Sequence, residues 1–251
     1  RELKAYCDDL GILFISTPTG KSTVDLLSEI GAAAIKVSKA DINHRYLIDY
    51  MAQKNLPMIL DARERFEDVE MALQICEKHN VSDVVVMHCP SGYPATQAGI
   101  HLSTIPVIKS LFGFPVAYSD HSIGSSMNYA AIGLGANFLE KTITLNKSTR
   151  AVEHTMSLEL DELKPFVDSI REVEAALGNP RIIMSSRVNA QHRRSIQVSR
   201  DIQKGEVLSI NDLAFKRPGT HLSVDQYESV VGKTVTSPIS AGSFISWDHI
   251  Q

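Results

Sequence analysis

The sequence predicts an α/β chain in two parts, a parallel sheet with helical crossovers followed by a small β unit. Three observations carry this. Short β-branched apolar runs alternate with amphipathic helical stretches as far as Leu177. Five of the runs end in polar residues able to do chemistry. From Ser195 the pattern changes to short strands and glycine turns with a weak internal repeat.

The strand runs are 12–16, 34–37, 58–61, 84–88, 116–120 and 137–144. Most are nearly continuous in their apolar residues, as strands covered on both faces must be. Helical patterns fall at 2–10, 23–30, 66–79 and 125–133; in the third, Val69, Leu73 and Cys76 share one face. The strand ends carry Ser16-Thr17-Pro18, Lys36, Asp61, His88-Cys89 and Ser119-Asp120-His121. In a (β/α)8 barrel the active site gathers at the C-terminal ends of the strands. A closed barrel takes eight strands, so six runs opening on a helix predict a partial TIM barrel over residues 1–180 that lacks its first two βα units. The 251 residues alone are then expected to turn over poorly or not at all.

The helix expected at 161–177 has an apolar stripe of Leu160, Leu163, Phe166, Val167, Ile170, Val173, Ala176 and Leu177. Pro165 falls near its start, where proline is tolerated, and Gly178-Asn179-Pro180 stops it. Residues 181–194, with Arg187, His192, Arg193 and Arg194, read as a solvated linker. In the small unit at 195–251, the stretch 202–209 before Asn211-Asp212-Leu213 is echoed by 239–246 before Trp247-Asp248-His249-Ile250. Each copy reads as a strand end, a glycine turn, a second strand and a short helical cap. Two copies suggest pseudo-twofold symmetry.

Composition excludes several classes. A net charge of -4 argues against a nucleic-acid partner. No run of about 18 apolar residues suggests a membrane span, and the charged opening RELKAYCDDL is unlike a signal peptide. Cys7, Cys76 and Cys89 lack metal or redox spacing and read as reduced thiols of a cytoplasmic protein.

The motifs, in order, resemble those of the sialic acid synthase family, which includes legionaminic and pseudaminic acid synthases and spore-coat polysaccharide synthase-like proteins. Phe14 to Pro18 resembles its FISTP strand and Ile35 to Asp41 its YKIGSGE segment. His88 to Pro94 is similar to HCTxxYP, Tyr118 to Ser122 to LSDHT, and Phe138 to Lys141 to the start of LEKHFT. Asp201 to Glu206 and Lys216 to Gly219 resemble the DIKKGE and KRPG of the family's small antifreeze-like (SAF, β-clip) domain. The resemblance implies condensation of phosphoenolpyruvate with an N-acylated amino sugar in its aldehyde form, with release of phosphate.

Such chemistry needs cations and hydroxyls for the anion, an electrophile at the aldehyde oxygen and a proton acceptor for the attacking water. By resemblance, Lys36 is the anion-binding lysine, and Thr17 and Ser119 line the same site. Ser91 and Tyr93 stand near the sugar, and Asp41 takes the place of a family glutamate. His121 is the candidate ligand of a divalent metal, Mn2+ or Mg2+. Thr142 replaces the family's second metal histidine, leaving His121 with water and substrate, a contribution from His154, or a lost metal. His88 reads as either a supporting or a catalytic group. Asp61-Ala62-Arg63 replaces the family's Ser-Thr-Gly, and Ser38-Lys39 its Gly-Ser. Lys39 and Arg63 then offer phosphate a point charge or a fork. Arg217 matches an arginine that the small domain delivers to the sugar of a partner subunit, implying a domain-swapped homodimer. The alternative is a catalytically impaired sugar-binding or scaffolding paralogue, which Thr142 favours.

Overall fold

A computed structural model describes residues 1–178 and 190–251. The chain divides into two compact units, Arg1–Pro180 and Arg181–Gln251. In the first, a helix α1 (Glu2–Asp9) precedes β1 (Ile15–Ser16), α2 (Lys21–Glu29), β2 (Ala34–Val37), α3 (Arg45–Ala52), β3 (Met58–Asp61) and α4 (Phe66–Lys78). Then come β4 (Val84–His88), α5 (Gln97–Ile100), α6 (Thr104–Phe112), β5 (Val116–Asp120), α7 (Ser126–Gly133) and β6 (Phe138–Lys141). A short pair, β7 (Ile143–Thr144) and β8 (Leu158–Glu159), leads into α8 (Leu160–Leu177).

Strands β1 to β6 form one sheet in chain order, every pairing parallel. This is the expected six-strand part of a TIM barrel. Parallel neighbours need crossovers, and the helices supply them on the outer face. Central strands are dry on both faces: all five residues of β5 are buried, as are Val84, Val86, Met87 and His88 of β4. The main core packs Ile35, Val37, Met58, Leu60, Val86 and Tyr118 against helix residues Val24, Ile48, Met51, Val69 and Ile105.

Three expectations are corrected. The first run, 12–16, pairs only through Ile15 and Ser16, because β1 is an edge and Ile12 and Leu13 stay exposed. The run 137–144 is not one strand. β6 ends at Lys141, the Thr142 carbonyl turns to accept the Leu158 amide at 2.9 Å, and β7 pairs with β8 outside the main sheet. The α8 stripe is narrower than its sequence: Phe166 and Ile170 are buried, with Leu163 and Val173 packed around them, while Leu160, Val167 and Leu177 are exposed. A helix packed mainly on α7 buries one side only. Its expected stop at Asn179-Pro180 and the linker residues 181–189, Arg187 included, lie outside the described residues.

The second unit is built around β9 (Ser195–Val198) antiparallel to β10 (Leu213–Lys216), with a short helix α9 (Tyr227–Val230). The repeat is visible in its bonds. Ile202 and Ile239, at equivalent positions of the two copies, exchange both backbone hydrogen bonds at 2.9 Å. Gly205 and Gly242 both adopt positive φ, where a side chain would be strained. Both copies end in single 3-10 turns, Ile210–Asp212 and Trp247–His249, each closed by a capping box. The second strand of each copy is reduced to isolated bridges. Ile196, Val198, Ile202, Val230, Val235 and Ile245 form its core.

Candidate active site

The parallel register brings strand ends into line, and their polar residues line one cavity of about 510 Å³. Its walls include Thr17 after β1, Lys36 from β2, Ser38 and Lys39 beyond it, Asp61 from β3 and Arg63 beyond it. Tyr93 and His121 follow β4 and β5; Glu140 and Lys141 end β6; Thr142 and Glu153 complete the wall.

The floor is an ordered chain of polar contacts. Lys36 Nζ donates to both Glu140 carboxylate oxygens at 2.7 Å. Ser119, directly opposite Glu140 in the β5–β6 register, donates its hydroxyl to Glu140 Oε1 at 2.6 Å. Its single hydroxyl proton is thereby used, so at 3.3 Å it can only accept from His121 Nε2. That fixes the neutral His121 tautomer with the proton on Nε2 and a lone pair on Nδ1. Nδ1 is buried without a partner, as is Thr142 Oγ1. Burial, then the nearby Arg63 charge, hold His121 below the ordinary imidazole range. Burial works to raise the Glu140 carboxyl, but the bonds from Lys36 and Ser119 outweigh it and hold it below the usual range. Tyr93 stacks on the His121 ring with centroids 4.4 Å apart.

A second network holds the β5 end in shape. Asp120, fully buried, accepts from Lys141 Nζ at 2.6 Å, Asn128 Nδ2 at 2.5 Å, Tyr118 OH at 3.0 Å and the Ser122 hydroxyl at 2.7 Å. These bonds overcome burial and keep its carboxyl ionised. Opposite, Asp61 is 2% exposed, and burial, only partly countered by Arg63, pushes its carboxyl up. Arg63 lies among Asp61, Cys89 and Tyr93.

Of the residues singled out from sequence, Thr17, Lys36, Lys39, Tyr93 and His121 line the cavity, and Ser119 lies under it. Asp41 does not line it; it sits in the 3-10 turn Lys39–Asp41 and accepts from Ser38 Oγ at 3.3 Å. Ser91 is exposed on the loop after β4 and is not on the cavity wall. His154 is engaged by Thr144 Oγ1 at 2.6 Å and is likewise off the wall, which its neighbour Glu153 joins. His88 is buried and bonds the Ile100 carbonyl at 2.7 Å, a structural contact. Arg217 belongs to the second unit and is exposed there. Glu140, Lys141 and Glu153 are wall residues that sequence reasoning did not select. For the first two the signal was present, since they end a strand inside the LEKHFT-like stretch.

Comparison with known proteins finds relatives along nearly the whole chain. The chain is 33% identical over 253 residues to an uncharacterized protein of Methanocaldococcus jannaschii, covering 99% of this chain and 75% of that one. It is 32% identical over 257 residues to the N,N'-diacetyllegionaminic acid synthase of Legionella pneumophila, covering 99% and 72%. Among solved structures, the spore coat polysaccharide biosynthesis protein spsE of Bacillus subtilis is 30% identical, with a TM-score of 0.67 over 100% of this chain and 76% of that one. With residues 1–181 matching the NeuB family and residues 193–251 the SAF domain, the chain belongs to the NeuB family of sialic and related nonulosonic acid synthases and carries a SAF domain after its barrel unit.

Proposed function

We propose that this protein condenses phosphoenolpyruvate with the open-chain aldehyde of an N-acylated amino sugar and releases inorganic phosphate. The observation that carries the reading is the convergence of Lys36, Arg63, Ser119, His121 and Glu140 on one cavity at the strand ends of a NeuB-family barrel. The ammonium and guanidinium groups attract the polyanionic donor. Tyr93, stacked on His121, offers its face and hydroxyl to the sugar. The Ser119–Glu140 chain holds His121 with its proton on Nε2 and a free lone pair on Nδ1, the atom of this ring open to a cation. Arg217 is proposed to reach the sugar of a second subunit.

The family also implies a divalent cation, Mn2+ or Mg2+. On the cavity wall two potential ligand atoms, His121 Nδ1 and Thr142 Oγ1, are buried and unengaged. Among the described residues no three His, Cys, Asp or Glu side chains form a cage. The residues fit a cation whose shell is completed by water and substrate, with His121 as its imidazole ligand. When bound, the ion would polarise the aldehyde oxygen.

The test is phosphate release from phosphoenolpyruvate by the full-length protein, dependent on an N-acylated hexosamine. Turnover that requires both substrates supports the reading; binding of both without phosphate release favours the impaired sugar-binding paralogue, to which Thr142 points. A Mn2+ titration by electron spin resonance, with the substrates present, should show binding that His121→Ala abolishes. Equal binding by that variant would place the ion elsewhere.

A further inference from the structure

The cavity holds four cationic side chains, and three of them are already matched. Lys36 is chelated by Glu140 at 2.7 Å through both oxygens. Lys141 is locked on Asp120 at 2.6 Å and on the Ser122 carbonyl at 2.6 Å. Lys39 is paired with Glu64 at the rim. The charge of each of these ammonium groups is thus already partly neutralised by a carboxylate.

Arg63 differs. Its side chain is 11% exposed, so its charge is largely removed from bulk water. Its carboxylate partner is distant, with Nη2 at 3.5 Å from Asp61 Oδ2, and Asp61 Oδ1 is occupied by the Arg63 backbone amide at 2.9 Å. Tyr93 OH stands at 3.5 Å from Nη1, at the limit of a hydrogen bond. The remaining contact of Nη2 is the Cys89 sulfur, a weak acceptor that burial keeps as a thiol. Nε is buried with no partner at all. A guanidinium largely withdrawn from water, whose Nη groups meet only long or weak partners, keeps donor capacity for a stronger acceptor. The two Nη groups form a planar fork that matches two oxygens of a phosphate in a way a lysine cannot.

We infer that Arg63, rather than Lys36, is the principal receptor of the phosphoryl group of phosphoenolpyruvate, with Lys36 held by Glu140 as part of the cavity floor. This rests on the synthase reading and specifies which side chain grips the donor. Asp61 fits the role: as a neighbour whose own ionisation burial disfavours, it orients the guanidinium through a long contact without saturating it.

The experiment is calorimetric titration of inorganic phosphate and of phosphoenolpyruvate into wild-type protein, Arg63→Ala and Arg63→Lys, with near-ultraviolet circular dichroism as the fold control. Both ligands should bind wild type, lose at least tenfold in affinity with Arg63→Ala, and lose at least fivefold with Arg63→Lys. Either variant binding phosphate within twofold of wild type overturns the inference, as does a loss confined to phosphoenolpyruvate, which would assign Arg63 to the carboxylate. Wild-type protein that binds neither ligand overturns the synthase reading itself. A readout on the unaltered protein stands beside these: the Arg63 Nε–H resonance in a nitrogen-edited NMR spectrum should shift and saturate with phosphate, and an unmoved resonance overturns the inference even if the variants misfold.

Discussion

Single residues in the barrel unit differ in what they hold. Asp120 and Lys141 form an ion pair with side chains 0% and 4% exposed, surrounded by further donors. Removing one partner strands the other charge, so Lys141→Met should lower stability by about 3–5 kcal/mol in urea unfolding. The Lys36–Glu140 pair opens to the cavity, with side chains 18% and 41% exposed, and water can replace either partner. Lys36→Met should therefore cost only about 1 kcal/mol. Equal losses in the two variants would contradict this ranking. His88 makes a pH prediction. Burial depresses its ionisation below the ordinary value of 6.5. As pH falls through that value the unfolded chain takes up a proton that folded His88 refuses, so stability declines on acidification. The urea midpoint should drop between pH 7.5 and 5.5, and His88→Gln should reduce that drop; an unchanged drop would exclude His88 as a source. These distinctions were only partly legible in sequence. The polar strand ends announced a site, but that Lys36 is chelated depends on Glu140 facing Ser119 across the β5–β6 register, a pairing between distant segments.

Elements show where the apolar pattern decides structure and where tertiary context overrides it. The middle strands followed their runs to the residue, since β2, β3, β4 and β5 coincide with 34–37, 58–61, 84–88 and 116–120. A strand buried on both faces keeps its whole apolar run inside the sheet, so run and strand share their ends. The edges deviated: β1 has one neighbour and shrank to Ile15 and Ser16, and the 137–144 run broke at Thr142 once its backbone found Leu158. The same contrast sets energies. Ile35 is fully buried in β2, whereas Ile15 is 45% exposed on β1. Ile35→Ala should cost about 2–5 kcal/mol, and Ile15→Ala under about 1 kcal/mol, because little packing is lost at an open surface. Similar urea midpoints for the two variants would show that the sheet edge is packed in solution.

At the scale of the molecule, two units with separate cores reflect two sequence grammars, strand–helix alternation up to Leu177 and a turn-rich repeat from Ser195. The repeat was readable because its glycines and caps are local, and its reciprocal Ile202–Ile239 bonds are the tertiary consequence. What one site does with the other unit's Arg217 was carried by resemblance alone. The central claim is that the C-terminal ends of the six parallel strands form one receptor for a small polyanion. A crystal structure of the protein with phosphoenolpyruvate tests it most directly. The account predicts the ligand in the cavity bounded by Lys36, Arg63 and His121, its phosphate within hydrogen-bond distance of Arg63. Phosphoenolpyruvate seated outside that cavity, touching none of these three side chains, would contradict it.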